Sequence, residues 1–564
     1  MRKVLLVALA VLVAAALALP ASAGPSGQAG TAAQSQSSGQ LQSANGEYVV
    51  AYADGVSAAA ARAAVKAAGG TILKENSRVG VATVKSANPS FLRAAAAQKA
   101  LVGAARNRPI GQVPSGGAAK EDVERLTAAE RAAAKAGSKR AGRVPDQEPF
   151  ADKQWDMRMI DATPSGSYRV NQGRRGVMVG IIDTGIDGNH PDIKPNFNRR
   201  LSVNFTTDIP LIDGPCEHPS CVDPADEDDD GHGTHVAGLV GAALNGLGTA
   251  GVAPRVTLVN VRAGQDSGFF FLLPTIDALV YAGLIGIDVV NMSFYTDPWL
   301  YNCLNNPADS PEAQAEQRTV RVATQRAVNF ARAHGVTPVA AMGNEHTDLG
   351  HPTSDDTSPD FPPGAAYPRD VDNSCITVPT ETRGVISISA LGPSGYKADY
   401  SNYGIEQTDF SAPGGWFRDF FGLPQNRQPE NLNLSPMPQA LAEEALQDPA
   451  NVPFIVRDCK GGTCAFYQYL QGTSMASPHA AGVAALIVSA HGRHDGQHGG
   501  LTLAPRTVER ILTRTAKQTP CPSPPNFAYP DDRDPSFDGV CEGTLARNGI
   551  YGRGIVNALT AVLD

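Results

Sequence analysis

Five apolar runs of strand length recur between residues 177 and 390 and alternate with segments of helical pattern. The runs are 177–183, 257–261, 288–293, 337–341 and 385–390. A strand that is apolar along its whole length is buried on both faces, and such strands belong to parallel sheets covered by helices. The pattern therefore predicts that residues 151–564 form an α/β domain with a mostly parallel central sheet flanked by helices.

The N-terminus has the pattern of a secretory signal peptide. Arg2 and Lys3 precede an apolar stretch of 16 residues, and Ala21-Ser22-Ala23 forms an A-x-A cleavage site. This stretch is shorter than the ~20 residues that a membrane-spanning helix needs. We therefore expect residues 1–23 to be removed and the mature protein to be secreted, without a membrane anchor.

A small folded module is predicted between two linkers. The segments 24–46 and 113–150 are poor in large apolar side chains and are interpreted as linkers. Residues 47–112 instead alternate short strand patterns with two helical patterns in the order βαββα. By pattern alone, this α+β module is compatible with a binding domain, a dimerisation domain or a pro-segment.

The charge balance bears on partners. The 564 residues include 47 basic and 56 acidic ones, a formal charge of −9, and this balance does not favour nucleic-acid binding. The hydrophobic fraction of 42% excludes disorder throughout the chain.

Eight cysteines, an even number, are expected to form disulfides in an oxidising compartment. Closeness in sequence favours the pairs Cys216–Cys221, Cys459–Cys464 and Cys521–Cys541. The two cysteines that remain form the fourth pair, Cys303–Cys375. A metal site at Cys216, His218 and Cys221 is the alternative, although C-x₄-C lacks the usual zinc spacing.

Three motif strings carry side chains suited to nucleophilic catalysis. They are V-G-I-I-D-T-G around Asp183, G-H-G-T-H-V-A-G around His232, and G-T-S-M-A-S-P-H around Ser474. A serine becomes nucleophilic when a base takes its proton, and a carboxylate orients that base. Taken singly, each residue has another interpretation: a turn aspartate, a metal-binding histidine or an N-cap serine. The order Asp, His, Ser excludes the α/β-hydrolase and chymotrypsin arrangements.

With these motifs, the predicted α/β domain resembles the subtilisin-like serine peptidases. The resemblance implies that Ser474 is the nucleophile, His232 the general base and Asp183 its orienting carboxylate. It also implies that His235 is structural. The string P-V-A-A-M-G-N ends at Asn344, whose side-chain amide is implied to complete the oxyanion hole beside the Ser474 N–H.

The resemblance also implies a role for the module at 47–112. It is similar to the pro-segments of this family, which assist folding and inhibit the peptidase intramolecularly until they are cut away. We expect the cut within 113–150. The implied function is a secreted, monomeric serine endopeptidase that cleaves protein or peptide substrates through an acyl-enzyme. The alternatives are a narrow-specificity processing peptidase for one partner and a catalytically silent binding protein.

Two departures from the family pattern bear on specificity. Phe294 and Tyr295 stand where glycines are common after the substrate-binding strand, so the specificity pocket is expected to differ in shape. An insert at about 415–470 separates S-A-P-G from the Ser474 string. It is interpreted either as a lid or as a braced surface loop.

Structural calcium is implied by the resemblance, whereas no cofactor is expected for catalysis. Asp192 and Asn245 match positions at which family members hold Ca²⁺, and oxygen ligands suit this hard cation. The acidic run 226–230 is interpreted as a further calcium site or as a solvated charged turn.

Overall fold

The computed structural model describes residues 46–107, 109–112, 148–210, 212–296, 298–360, 365–529 and 533–564. The predicted signal peptide, all but the last residue of the 24–46 linker and most of the predicted 113–150 linker lie outside these ranges. Within the described ranges, none of the helices combines the length and the apolar character needed to cross a membrane.

A seven-stranded parallel sheet forms the centre of the large domain. From one edge to the other its strands are β15 (Phe410–Pro413), β14 (Ile386–Leu391), β11 (Thr337–Ala341), β10 (Val289–Met292), β6 (Met178–Ile182), β8 (Thr257–Arg262) and β7 (Val203–Asn204). All five apolar runs of the sequence fall in this sheet. The predicted α/β fold class is therefore confirmed.

Helices cover both faces of this sheet. The helices of the large domain are α3 (Trp155–Met159), α4 (His232–Gly241), α5 (Leu272–Ile285), α6 (Pro311–Ala333), α7 (Gln439–Ala445), α8 (Thr473–His491), α9 (Pro505–Thr515) and α10 (Ala558–Leu563). Of these, α7 packs against the insert instead, where Ala442 clusters with Ile455 and Phe466. Val179 and Ile181 of β6 pack into one apolar cluster with α4 and α8, whereas Ile182 packs into another with α5 and α6. This alternation explains why the strand is apolar along its length.

The N-terminal module is a four-stranded antiparallel sheet with two helices. Its elements are β1 (Glu47–Tyr52), α1 (Ala58–Ala67), β2 (Gly70–Asn76), β3 (Val81–Ser86), α2 (Phe91–Ala96) and β4 (Leu101–Arg106). The strand order is β2-β3-β1-β4. The Ser57 hydroxyl caps α1 by accepting from the Ala60 N–H at 3.2 Å. The sequence pattern missed β4, so the module is βαββαβ.

The module packs on α6 through β4. A Cβ atom on Gly103 would lie 2.8 Å from the Thr319 hydroxyl oxygen, so glycine is required for this close approach. The Arg106 N–H donates to the Glu316 carboxylate at 3.0 Å, which fixes the end of β4. Beyond it, β5 (Pro109–Gln112) pairs antiparallel with β9 (Phe269–Phe271), the strand before α5.

The insert folds as a three-stranded antiparallel sheet. Its strands are β16 (Asn433–Met437), β17 (Ile455–Lys460) and β18 (Thr463–Leu470), with β18 in the middle. The Ser435 hydroxyl donates to the His235 carbonyl of α4 at 2.6 Å. A Cβ atom on Gly238 would lie 2.3 Å from both Ser435 and Pro436, so sheet and helix are in close contact. These contacts favour the braced-loop interpretation over the lid.

All four predicted disulfides are present, with S–S distances of 2.05–2.13 Å. The alternative metal site at Cys216, His218 and Cys221 is therefore wrong, and His218 instead contacts Glu227 at 2.8 Å. The remaining strands are two-residue pairs: β12 (Ser354–Asp355) with β13 (Arg369–Asp370), Arg493–His494 with Leu501–Thr502, Asn526–Phe527 with Gly539–Val540, and Gly543–Thr544 with Arg547–Asn548.

Candidate active site

The parallel strands bring two of the predicted site residues to one edge of the sheet. Asp183 directly follows β6, and Asn344 lies three residues beyond the end of β11. The strand between them, β10, ends just before Ser293. Because carboxyl ends of neighbouring parallel strands share an edge, these segments converge there. Asp183 is fully buried, and its carbonyl accepts from the N–H groups of Ala263 and Gly264 at 3.1 Å.

His232 is the first residue of α4 and contacts Asp183. The Nδ1 atom of His232 lies 2.8 Å from the Asp183 Oδ1 atom. The turn before the helix needs Gly231, whose φ of 92° is left-handed. The buried Nε2 atom has no hydrogen-bond partner among the described residues. A histidine that donates through Nδ1 keeps Nε2 as an acceptor, as a general base requires.

The acidic run before His232 anchors the start of α4. The Asp228 carboxylate is 5% exposed and accepts from the hydroxyl groups of Thr184 and Thr234 at 3.1 and 2.6 Å. It also accepts from the N–H groups of Gly231 and Thr234 at 2.9 and 2.8 Å. The predicted solvated turn is therefore wrong at Asp228, because this carboxylate caps a helix from within the protein.

The two histidines of α4 differ in their electrostatics. Burial alone would lower the pKa of His232, but the charge and hydrogen bond of Asp183 outweigh burial and leave the pKa above its ordinary value. Burial lowers the pKa of His235 to about 3. The Nε2 atom of His235 lies 3.0 Å from the Gln468 carbonyl in the insert, which supports the structural role expected for it.

Ser474 lies in the first turn of α8, where backbone N–H groups have no helical partner. Its hydroxyl donates to the Ser293 carbonyl at 3.2 Å. The bond from this hydroxyl to His232 is not formed, since the described residues leave Nε2 without a partner. Helices α4 and α8 pack against each other, and catalytic hydrogen bonds are often unformed before substrate binds.

Asn344 presents a free donor at the start of α8. Its Oδ1 atom accepts from the N–H and the hydroxyl of Thr473, both at 2.9 Å. Its Nδ2 atom is buried and has no partner among the described residues. A buried unsatisfied donor is costly to stability, and such groups often have a functional explanation. The motifs did not single out Thr473 and Ser293 as supporting residues, although both lie beside the predicted site residues in sequence.

Phe294 packs in the interior of the protein. It is fully buried, and its ring stacks on Phe270 of β9 with a centroid distance of 4.1 Å. Tyr295 has intermediate exposure. A change in the specificity pocket is therefore expected from Tyr295 alone.

Asp192 and Asn245 are in contact, but the groups around their oxygen atoms do not fit a metal ion. The Asn245 side-chain amide donates to Asp192 at 3.0 Å, and the Tyr467 hydroxyl donates to the other carboxylate oxygen at 2.7 Å. The Lys460 ammonium donates to the Asn245 carbonyl. Burial raises the pKa of Asp192 to about 7. Hydrogen-bond donors and an ammonium from the insert thus occupy the oxygens that a cation would need.

The sequence and the fold match known proteins. The family model of the subtilase family matches residues 174–540. Subtilisin DY of Bacillus licheniformis is 29% identical over 320 residues, which cover 56% of this chain and 79% of that protein. The thermophilic serine proteinase of Bacillus sp. strain AK1 is 28% identical over 344 residues, which cover 61% of this chain and 56% of that protein.

Two solved structures share the fold. The epidermin leader peptide processing serine protease of Staphylococcus aureus aligns with a TM-score of 0.58 at 21% identity, covering 92% of this chain and 97% of that chain. Fervidolysin from Fervidobacterium pennivorans aligns with a TM-score of 0.54 at 19% identity, covering 92% of this chain and 61% of that chain. At these identities the likeness shows the fold alone.

Proposed function

The chain belongs to the subtilase family of serine peptidases, and we propose that it is a secreted endopeptidase made as a precursor. The observation that carries the proposal is His232, held at 2.8 Å by Asp183 with its Nε2 atom free to accept a proton. The four disulfides agree with an oxidising destination outside the cytoplasm. The substrates proposed are proteins or peptides.

In the proposed acylation step, the Ser474 oxygen bonds to the carbonyl carbon of the scissile peptide while its proton passes to Nε2 of His232. Asp183 stabilises the imidazolium that forms. The Asn344 Nδ2 atom and the Ser474 N–H donate to the oxyanion. When the C–N bond breaks, His232 gives the proton to the leaving amine. Water then attacks the acyl-enzyme with His232 again as the base.

We propose that the N-terminal module is an intramolecular inhibitor. Its packing on α6 and the pairing of β5 with β9 support this role. The β9 residue Phe270 stacks on Phe294. Phe294 directly follows Ser293, whose carbonyl accepts from the Ser474 hydroxyl. A segment paired with β9 would therefore lie beside the nucleophile, in the manner of a substrate added to a sheet edge.

Cleavage profiling on a mixed peptide library tests the function and separates a general endopeptidase from a narrow processing peptidase. We expect cleavage of many peptides, because the contact of Ser435 with α4 favours the interpretation of the insert as a braced loop and not as a lid that would restrict substrates. Cleavage of a single sequence type would instead favour the processing peptidase. No cleavage by the fully processed protein would contradict peptidase activity.

Replacing Asn344 by leucine is expected to lower kcat by about 10²–10³-fold with little change in KM, the loss measured for one such donor in a subtilisin. The substitution removes the Nδ2 donor, which acts only once the oxyanion forms. Thr473→Val is the matched control, because it removes a hydroxyl that donates to Asn344 but leaves Nδ2 in place. Equal losses in kcat for the two variants would refute the oxyanion role.

The pH profile of kcat/KM should fall on the acid side as His232 becomes protonated, because an imidazolium cannot accept the Ser474 proton. The charge of Asp183 raises the pKa above the reference value of 6.5, so the midpoint is expected above pH 6.5. Asp230 also raises this pKa. Asp230→Asn should therefore move the midpoint down while keeping the activity at high pH. A parent midpoint below 6.5 would disagree with this electrostatic picture.

A further inference from the structure

The loop that carries Asn344 is bound by one buried asparagine of another segment. Asn402 lies between β14 and β15 and is 1% exposed. Its Nδ2 atom donates to the Met342 carbonyl at 3.1 Å and to the Glu345 carboxylate at 2.6 Å. Its Oδ1 atom accepts from the Thr347 N–H at 2.8 Å. The Asn402 side chain thus bonds to the chain on both sides of Asn344.

The partners of Asn402 require an amide in one orientation. The carbonyl of Met342 and the carboxylate of Glu345 accept hydrogen bonds, whereas the N–H of Thr347 donates one. An amide offers two donor hydrogens and an acceptor oxygen, and a flipped amide would match none of these partners. Aspartate has the same shape as asparagine but no donor, and alanine has neither donor nor acceptor in its side chain.

Gly343 allows this loop to approach Asn402 closely. Its φ of 100° is left-handed, and a Cβ atom on it would lie 2.6 Å from the Asn402 Nδ2 atom. The Gly343 carbonyl accepts from the Asn402 backbone N–H at 3.0 Å. The Gly343 N–H donates to the Thr473 hydroxyl at 3.0 Å. The residue before Asn344 is therefore held from two sides, by Asn402 and by the start of α8.

Asn402 and Thr473 hold different parts of Asn344. Thr473 bonds to the side-chain oxygen of Asn344 and so sets the direction of its amide. Asn402 bonds to residues 342, 343, 345 and 347 and so sets the place of the backbone from which that amide projects. An oxyanion donor acts at about 2.7–3.1 Å from the oxyanion, and a misplacement of about 1 Å can cost about 10²-fold in rate.

We propose that Asn402 is a positioning residue for the oxyanion donor Asn344, an inference that rests on the proposed peptidase function. The Nδ2 atom of Asn344 acts only once the oxyanion forms. A displaced loop should therefore lower kcat and leave KM nearly unchanged. A residue that served stability alone would lower Tm without this selective effect on kcat.

Backbone hydrogen bonds should keep the loop folded when the Asn402 side chain is removed. The Tyr400 carbonyl accepts from the His346 N–H at 2.8 Å, and the Tyr403 N–H donates to the Thr347 carbonyl at 3.0 Å. We therefore expect Asn402→Ala to fold. Its Tm should fall, because the Thr347 N–H loses its partner.

A double-mutant cycle with Asn344→Leu tests the proposal. Each variant is made as the full chain, and its module is removed by an added protease that is then inactivated. In the parent, Asn402→Ala is expected to lower kcat about 10–100-fold with little change in KM. In Asn344→Leu, which has already lost the donor, the same change should alter kcat by less than about threefold. Asn402→Asp keeps the acceptor but not the donors, and it is the second variant in both backgrounds, with the same expectation.

Asn548→Ala is the matched control. Asn548 is fully buried, its Nδ2 atom donates to the Thr519 carbonyl at 2.9 Å, and its Oδ1 atom accepts from the Tyr551 N–H at 2.8 Å. These partners lie in the C-terminal part of the chain. The control should lower Tm as Asn402→Ala does, but it should keep kcat within about threefold of the parent, because lost hydrogen bonds of this kind act on the folding equilibrium.

Equal losses of kcat from Asn402→Ala in the parent and in Asn344→Leu would overturn the proposal, because Asn402 would then act independently of the oxyanion donor. An unchanged kcat, with or without a rise in KM, would overturn it too, as would an equal loss of kcat in Asn548→Ala. If Asn344→Leu itself leaves kcat unchanged, the oxyanion role in the proposed function is wrong, and the positioning role is wrong with it.

Discussion

Ser474→Ala is expected to lower kcat by about 10⁶-fold, the size of loss measured when a subtilisin loses its nucleophile. The fold should survive, because among the described residues the hydroxyl makes one hydrogen bond, to the Ser293 carbonyl at 3.2 Å. Once an added protease has removed the module, the residual rate would come from binding and the oxyanion donors. Active-site titration and peptide hydrolysis by purified protein measure the loss.

Ser477→Ala is the matched control for this experiment. Ser477 lies on the same helix, is equally buried, and its hydroxyl lies 2.9 Å from the Ser293 hydroxyl. Its replacement removes a comparable hydrogen bond but keeps the nucleophile. We expect the activity of Ser477→Ala to stay within about tenfold of the parent, since one neutral hydrogen bond contributes about 1 kcal/mol to stability. A similar collapse of activity in both variants would indicate damage to α8 instead.

The same Ser474→Ala variant tests self-maturation. We expect it to accumulate with an N-terminus near residue 24 and the module still attached, whereas the parent should begin within 113–150. A separate trypsin-like protease acting at Lys139-Arg140 is the alternative route. N-terminal sequencing decides between them: processing of the purified variant at the parental bond, with other proteases absent, would exclude self-cleavage.

Much of the fold could be predicted because its signals are local. The run around Val179 and Ile181 is apolar on both faces, and that pattern is typical of a sheet that helices cover on both sides. Strand β4 was missed because L-V-G-A-A-R has little intrinsic strand preference. What makes it a strand is tertiary: pairing with β1 and the approach of Gly103 to Thr319.

The site was predictable in its residue types but not in its surroundings. The motif strings and their order predicted that Asp183 orients His232, and in the structure the Asp183 Oδ1 atom lies 2.8 Å from the His232 Nδ1 atom. The environment of Asp192 was not predictable, because Tyr467 lies 275 positions away in the chain and contacts Asp192 only once the insert has folded. The packing of Phe294 was not predictable for the same reason, since its stacking on Phe270 is a tertiary contact.

Asp183→Asn should lower kcat by about 10⁴-fold, as the same change does in a chymotrypsin-type peptidase. The side chain keeps its shape, but Oδ1 faces both the Thr184 N–H and Nδ1 of His232, each at 2.8 Å, so an amide nitrogen at this position gives up the bond from Thr184. The new amide, however, donates toward Nδ1 of His232 and shifts the ring proton to Nε2. An imidazole protonated at Nε2 cannot accept the proton of Ser474, so the base is lost although every atom is nearly in place.

Asp228→Asn separates this tautomer effect from a loss of positioning. Asp228 holds the start of α4 through Gly231 and Thr234, and among the described residues the His232 ring bonds to Asp183 and not to Asp228. Its replacement is therefore expected to lower Tm and to cost far less in kcat than Asp183→Asn. In Asp183→Asn, Tm should stay close to the parent value. The buried Oδ2 atom of Asp183 has no hydrogen-bond partner among the described residues, so removing the charge relieves a poorly compensated group. If Asp228→Asn were the more damaging change to kcat, the part played by Asp183 would be to position α4, and the tautomer argument would fail.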